Sequence, residues 1–112
     1  MSKLENSMIT QENTFVVEGN GHCTYEVHDV HTNNILSLVK FQKGPVNEFG
    51  LNGIFNEDVI IMVIDRLEFF QTQELACKEN EEALKKLYES LMWLRKRTLD
   101  RKLRGVQGTS EV

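Results

Sequence analysis

The stretch NEEALKKLYESLMWLRKRTLDRKLRG, residues 80–105, decides the fold of the C-terminal half of the chain. Steps of four and three positions along this stretch define a single stripe, as on one face of a helix. Seven residues form the stripe: Asn80, Leu84, Leu87, Leu91, Leu94, Thr98 and Arg101. Such a stripe packs along a neighbouring helix in the antiparallel or coiled-coil manner. We therefore predict a long helix over residues 76–104 that stops at Gly105.

A second helical segment precedes this one and is separated from it by TQEL, residues 72–75. Asn56 is a typical N-cap, and two acidic residues follow it in the first turn, where the helix dipole favours negative charge. The segment is nearly all apolar over residues 59–64, which exceeds what one packing face requires. We expect burial on more than one side, as at a subunit interface. With so short a break between them, the two helices form an αα-hairpin.

The first half of the chain predicts strands. TFVVEG, CTYEVHDV and ILSLVKFQ are rich in β-branched and aromatic residues, and the segments EGNGH and HTNN between them carry turn residues. A meander this small must lie on another element or pair with another copy. The predicted fold class is α+β, assembled as a dimer or higher oligomer. Its predicted parts are a flexible tail (1–13), an antiparallel strand region (14–45), a helical-hairpin domain (46–105) and a second flexible tail (106–112).

The composition argues against a membrane-spanning, secreted, disulfide-bonded or zinc-binding protein. A chain of 112 residues is one domain by length, and no run approaches the ~20 apolar residues of a membrane span. The N-terminus lacks the apolar core of a signal peptide, so secretion is not expected. Cys23 and Cys77 form no disulfide or metal pattern, which is typical of free thiols in a reducing cytoplasm. The histidines near Cys23 match no zinc signature.

Charge is distributed very unevenly. The chain carries a net charge of −4, yet residues 95–104 carry +5 and the remainder −9. Arg97, Arg101 and Arg104 lie within about 60° of one another on the helix, at the edge of the leucine stripe and on the same line as Trp93. A guanidinium fork binds phosphate oxygens bidentately and can stack on an aromatic ring or a base. Such a stripe is a good place for phosphate, and in an acidic protein it fits a compact anionic ligand better than a long polyanion.

The basic segment also has two simpler roles open to it. The basic helix end can simply be solvated and pair with acidic residues of a neighbour, Glu79, Glu81 or Glu82. The segment can also contact duplex nucleic acid, but the charge of −9 on the rest of the chain opposes this, because such affinity comes mostly from phosphate neutralisation. We expect Arg95, Lys96 and Lys102 to be solvated charges on other faces of the helix.

The helix junction holds a second candidate cluster. Phe69 and Phe70 are adjacent and point in different directions, so one can enter the core while the other faces a cavity. Asn80 offers the donor and acceptor that can read an adenine edge, although asparagine near a helix start often bonds the local backbone instead. In one hairpin this junction and the arginines lie at opposite ends. A two-fold dimer would bring them together in two equivalent pockets.

Several of these segments together resemble a known family. RLEFFQ, ACKEN, GPVNEFGLNG and RTLDR, within residues 44–109, are similar to the Thoeris anti-defence sponges of bacteriophages, which share a helical-hairpin domain. The resemblance implies a cytoplasmic protein in the bacterial host that sequesters the immune signal glycocyclic ADP-ribose. It also implies dimers that can assemble to hexamers, and related hairpin proteins sequester cyclic oligonucleotides. TQEL stands where the family commonly has SGPF, so the turn departs from the usual pattern.

The resemblance also implies roles for individual residues. An aromatic residue and an asparagine hold the adenine, which here correspond to Phe70 and Asn80. Arginines hold the pyrophosphate, which here correspond to Arg97 and Arg101. Arg104 is carried from the helix geometry above and not from the family pattern.

No nucleophile with a matching base stands out in the sequence, and no Gly-rich phosphate loop is present. We therefore expect a binding protein that is not an enzyme and needs no cofactor. Three alternatives stay open: a sponge for cyclic di- or trinucleotides, a helical module that blocks a host protein, and a hydrolase of the same signal.

Overall fold

The computed structural model describes residues 2–6, 15–105 and 108–109. Four strands come first: β1 (Ser2–Asn6), β2 (Phe15–Asn20), β3 (Thr24–Asp29) and β4 (Ile35–Lys40). Three helices follow: α1 (Val46–Phe49), α2 (Asn56–Gln71) and α3 (Lys78–Leu103). The strands form one antiparallel sheet in the order β1-β2-β3-β4. The predicted α+β class is confirmed, and β2, β3 and β4 are the three strands that the sequence predicted.

Strand β1 corrects one prediction. Ser2 lies opposite Gly19 and Asn6 opposite Phe15, so β1 covers the outer edge of β2. The expectation of a flexible tail over residues 1–13 is therefore wrong for residues 2–6, while residues 1 and 7–13 lie outside the described part of the chain. Strand pairing joins residues that are distant in sequence, and the polar composition of this segment gave no sign of it.

The chain divides into two compact units, and their boundary differs from the predicted one. Residues 1–43 and 49–54 form the strand unit, whereas residues 44–48 and 55–112 form the helical unit. Phe41 and Ile54 form a parallel bridge, and the backbone N–H groups of Gln42 and Ile54 donate to Ile54 and Lys40, respectively. These bonds return residues 49–54 to the strands. The predicted hairpin domain over 46–105 therefore contains a loop that belongs to the other unit.

Helix α2 begins at Asn56, and its N-cap is Phe55 and not Asn56 as predicted. In the usual N-cap, the side chain of the cap residue accepts a hydrogen bond from a backbone N–H of the first turn. Here the backbone N–H of the cap residue Phe55 donates to the Asp58 carboxylate (2.8 Å). Ile64 is 5% exposed and anchors the helix. Other apolar side chains of α2 remain exposed in the single chain, including Met62 and Phe69.

Helix α3 shows the predicted stripe. All seven stripe residues are buried or half-buried, and every other residue of Lys78–Leu103 is exposed. Leu91 is the most buried of them, at 4% exposure. A cleft between α2 and α3 is lined by residues of both helices, and within it the Tyr88 hydroxyl donates to Glu68 across the two helices. The αα-hairpin is thereby confirmed.

The end of α3 corrects the second tail prediction. Gly105 has φ +73°, a conformation that glycine adopts without strain, and it ends the helix as expected. Gly108 and Thr109 then return to the helical unit, where the Asn47 N–H donates to the Gly108 carbonyl (2.9 Å). The expected flexible tail over 106–112 is therefore wrong at these two residues. Residues 106–107 and 110–112 lie outside the described part of the chain.

Candidate functional site

Phe70 lies at the turn end of the hairpin, on the last turn of α2. Its side chain is half-buried, and the Arg66 guanidinium carbon lies 4.9 Å from the ring centroid. The neighbouring Phe69 is 60% exposed. The two rings therefore differ in exposure, and neither belongs to the buried core. A half-buried ring with a cation on one face is held in place, which suits a stacking surface.

Asn80 lies on the first turn of α3 and contacts the local backbone. Its N–H donates to Cys77 Sγ (3.5 Å), and its side-chain Nδ2 donates to the Leu75 carbonyl (3.2 Å). The local backbone bond that is common for asparagine near a helix start is thus present. Among the described residues, Oδ1 makes no hydrogen bond, so the amide keeps an acceptor for another group.

The turn between the helices is closed by Gln71. Its side chain accepts from the Cys77 N–H (3.0 Å) and donates to the Cys77 carbonyl (3.1 Å), so both backbone groups of Cys77 are bonded. Thr72 Oγ1 adds a bond to the Phe69 carbonyl (2.6 Å). Hydrogen bonds made by Gln71 and Thr72 therefore stabilise the turn that contains TQEL. This turn fixes where α3 starts and hence where Asn80 points.

The three predicted arginines lie at the other end of α3 and differ in their surroundings. Arg97 is exposed. Arg101 is half-buried, and its Nη2 donates to the Thr109 carbonyl (3.0 Å). Arg104 Nε lies 3.2 Å from Asp100 Oδ2 in an exposed i, i+4 ion pair. Arg97 is therefore open to solvent, whereas Arg101 is hydrogen-bonded to the backbone.

Trp93 lies on α3 one turn before Arg97, with Lys96 beside it. Its indole is 55% exposed, and the Lys96 ammonium lies 4.9 Å from the ring centroid. Lys96 is exposed, as expected of a solvated charge, although its ammonium lies over the Trp93 ring. Residues three apart are neighbours on a helix surface, which accounts for the pairing. The indole therefore has the Lys96 ammonium on one face and stays more than half exposed.

The two groups of candidate residues are far apart in one chain. Asn80 and Arg97 are separated by roughly 25 Å along α3, at about 1.5 Å per residue. Phe70 lies near Asn80 across the turn, and Arg101 and Arg104 lie beyond Arg97. A single chain therefore presents an aromatic and amide cluster at one end of the hairpin and a guanidinium cluster at the other.

The sequence reasoning missed a polar pair between these ends. The Tyr88 hydroxyl donates to Glu68 Oε1 (2.8 Å) across the two helices. This hydrogen bond raises the pKa of the Tyr88 phenol above its ordinary value, with further contributions from desolvation and the Glu68 charge. Both residues line the α2–α3 cleft, where Arg95 also lies. Their spacing of 20 positions gave no local signal, and only the antiparallel register of the hairpin could have paired them.

Two of the acidic residues considered as partners for the basic segment have a partner on their own helix. Lys85 Nζ lies 3.1 Å from Glu82 and 3.9 Å from Glu81. The hydrogen bond that Lys85 donates to Glu82, followed by the charges of both carboxylates, raises the pKa of Lys85. Such exposed pairs stabilise weakly, but they show that these carboxylates have a cation nearby without any neighbouring chain.

The described residues offer neither a metal-binding cluster nor a membrane-spanning helix. Over residues 2–6, 15–105 and 108–109, no three His, Cys, Asp or Glu side chains cluster in a way that would hold a metal ion. Within the same ranges, no helix is long and apolar enough to cross a bilayer. Cys23 and Cys77 are unpaired thiols, the first half-buried and the second exposed.

Comparison with known proteins gives the family. Residues 33–99 match the model of the Acb2/Tad1 hairpin domain, which extends from β4 almost to the end of α3. The chain is also similar to Thoeris anti-defense 1 of Bacillus phage SBSphiJ7, with 58% identity over 76 residues. That alignment covers 68% of this chain and 54% of the relative, so the chain spans about half the length of the curated relative it matches. With the family model matching more than half of its residues, the chain belongs to the Acb2/Tad1 hairpin-domain family.

Proposed function

We propose that this chain is a phage anti-defence protein that acts in the cytoplasm of the bacterial host. It binds the cyclic ADP-ribose-type signal made by the TIR protein of the Thoeris system, glycocyclic ADP-ribose, and so suppresses Thoeris immunity. The observation that carries the proposal is the 58% identity to a phage protein named Thoeris anti-defense 1. The position of the arginines supplies the physical basis.

The C-terminal end of α3 is suited to a pyrophosphate. Arg97 presents an exposed guanidinium, and Arg101 lies one turn further along the same face. Guanidinium forks bind phosphate oxygens with two parallel hydrogen bonds each. Arg104 follows on the same face, where it also pairs with Asp100. A small ligand with two adjacent phosphates fits this short stripe better than a duplex does, because the rest of the chain is acidic.

The turn end of the hairpin is suited to the adenine. Phe70 offers a half-buried ring on which a base can stack, and Arg66 already holds one side of it. Asn80 keeps Oδ1 as an acceptor for the exocyclic amine of adenine. Because the turn fixes the start of α3, both groups are held in place before the ligand arrives.

A second copy of the chain completes the site in this proposal. The adenine-binding and phosphate-binding groups are roughly 25 Å apart along one α3, so one small ligand cannot reach both. An antiparallel two-fold dimer places the turn end of one chain beside the arginines of the other and creates two sites. Exposed apolar side chains on α2, such as Met62 and Phe69, support such an interface. Such dimers can assemble further to hexamers.

Sequestration requires affinity and slow release, without chemistry. A ligand bound between two chains dissociates only when the two chains move apart at the site. Its affinity therefore comes mainly from a slow dissociation rate. We therefore propose that the signal is released intact when the protein is denatured, and that no turnover occurs.

Capture and release tests the proposal. The purified protein is incubated with glycocyclic ADP-ribose, free ligand is removed by filtration, and the protein is denatured by heat. Mass spectrometry of both fractions should show depletion of the ligand followed by release of the intact molecule. Release of breakdown products alone would mean that the protein is an enzyme.

Absence of depletion would contradict the proposed ligand. Cyclic dinucleotides and trinucleotides would then be tested in the same assay, since the arginine stripe suits their phosphates as well. If those also failed, a host protein bound through the exposed apolar face of α2 would become the leading candidate partner.

A further inference from the structure

The chain after α3 makes a specific contact with one of the candidate arginines. Gly105 turns the backbone out of the helix with φ +73°, and Gly108 and Thr109 lie back against the helical unit. There the Thr109 carbonyl accepts a hydrogen bond from Arg101 Nη2 (3.0 Å). The part-buried setting of this bond distinguishes Arg101 from the exposed Arg97.

A second, independent contact holds the same segment. The Asn47 N–H, on the short helix α1, donates to the Gly108 carbonyl (2.9 Å). Gly108 has φ +78°, and a Cβ added there would lie 2.9 Å from Asn47 Oδ1. The short Asn47 side chain can rotate away, so the backbone conformation is the stronger reason for glycine. Adjacent residues are therefore fixed to two different elements, α1 through Gly108 and α3 through Thr109.

We propose that the Gly108–Thr109 segment positions Arg101 for the phosphates of the bound nucleotide. A guanidinium has five N–H donors in a fixed plane, so a bond from Nη2 to one carbonyl sets the direction in which the whole fork points. That bond also restricts a side chain that would otherwise lose much rotamer freedom on binding. Thr109 acts through Arg101 and does not contact the ligand. The inference rests on the proposed function, because it assigns a supporting residue to the same site.

The test uses Gly108→Val, because a β-branched side chain is strained at positive φ. Gly21→Val is the matched control, since Gly21 has φ +65° and open space around it in the turn between β2 and β3. Affinity for glycocyclic ADP-ribose is measured by calorimetry in the full chain. We expect Gly108→Val to weaken binding about tenfold, the cost of one charge-assisted hydrogen bond, and Gly21→Val to change it less than about twofold.

A double-mutant cycle separates positioning from general damage. In an Arg101→Lys background the segment has no guanidinium to hold, so Gly108→Val should then weaken binding less than about twofold. An unchanged affinity of Gly108→Val in the native background, or the same loss in both backgrounds, would overturn the inference while the proposed function stands. A native chain that binds no glycocyclic ADP-ribose would overturn both.

A measurement without ligand keeps the inference testable whatever the stability of the variant. Nitrogen-15 NMR of the native protein should show slowed rotation and exchange for the Arg101 side-chain signal, which is assigned by its loss in Arg101→Lys. The same signal should be lost or become mobile in Gly108→Val. A mobile Arg101 guanidinium in the native protein would contradict the positioning role.

Discussion

The two ends of α3 are built in opposite ways. At the N-terminal end, Asn80, Cys77 and Gln71 use their polar groups to close the turn between the helices. At the C-terminal end, Arg97 presents its charge to solvent, and Arg101 is held by a backbone carbonyl. The first end is defined by local hydrogen bonds and the second by concentrated charge. We call the N-terminal end of α3, with its hydrogen-bonded turn, the shaped end, and the C-terminal end, with its arginines, the charged end. The shaped end suits recognition of a base, and the charged end suits recognition of a pyrophosphate.

The largest effect should come from the charged end. Replacing Arg97 and Arg101 together with alanine should weaken nucleotide binding by more than about a hundredfold, because each charge-assisted bond contributes about 1.5–3 kcal/mol. Arg95→Ala with Lys102→Ala removes the same charge from other faces of α3 and should change affinity little. Calorimetry with glycocyclic ADP-ribose compares the two pairs. Equal losses would mean that net charge and not the arginine stripe carries binding.

The middle of α3 should control stability and not recognition. Leu91 is 4% exposed, so Leu91→Ala should lower the free energy of unfolding by about 2–5 kcal/mol. Leu99→Ala, at a position 56% exposed, should change it by less than about 0.5 kcal/mol. Urea denaturation measures both. A loss at Leu91 no greater than that at Leu99 would contradict the packing of the hairpin.

The shaped end should show a smaller effect on both properties. Asn80→Ala removes the bond to the Leu75 carbonyl and should cost about 1 kcal/mol of stability. It should also weaken nucleotide binding, but less than loss of the arginine pair does. Glu79→Ala, on the exposed neighbouring position, is the control. Thermal unfolding with calorimetry distinguishes the two contributions, and an Asn80→Ala protein of native stability would mean that the turn does not depend on this side chain.

The smallest predicted effect is a change of stability with pH, which comes from the Tyr88–Glu68 pair between the two ends of the hairpin. The bond from Tyr88 to Glu68 raises the phenol pKa in the folded protein. Its stabilisation is therefore fully present below the ordinary tyrosine pKa of about 10 and is lost as the pH rises through the raised value. The stability difference between the native protein and Tyr88→Phe, from urea midpoints, should shrink in that range. A difference that grows with pH would contradict this assignment.

The stripe of α3 could be predicted because helical periodicity is a local property. All seven stripe residues are the buried or half-buried positions of that helix, and Gly105 ends it as expected. The strands β2, β3 and β4 were likewise visible in runs of β-branched and aromatic residues. In each case neighbouring residues carry the whole signal.

The misses all depend on contacts between distant residues. Strand β1 exists through its pairing with β2, and residues 49–54 join the strand unit through the bridge between Phe41 and Ile54. Thr109 accepts a hydrogen bond from Arg101, which lies eight positions earlier in the sequence and inside α3. The candidate residues themselves were found at the predicted ends of the hairpin. Their partners could not be predicted, because tertiary hydrogen bonds leave no periodic trace in the sequence.

The central claim is that one ligand is shared by the shaped end of one chain and the charged end of another. Mixing variants tests it directly: Phe70→Ala with Asn80→Ala in one chain, and Arg97→Ala with Arg101→Ala in the other. Neither variant alone should retain glycocyclic ADP-ribose. After the chains are unfolded and refolded together, each mixed dimer regains one intact site, so capacity should recover to about a quarter of native under random pairing. No recovery, with mixed dimers shown by native mass spectrometry, would contradict the shared site.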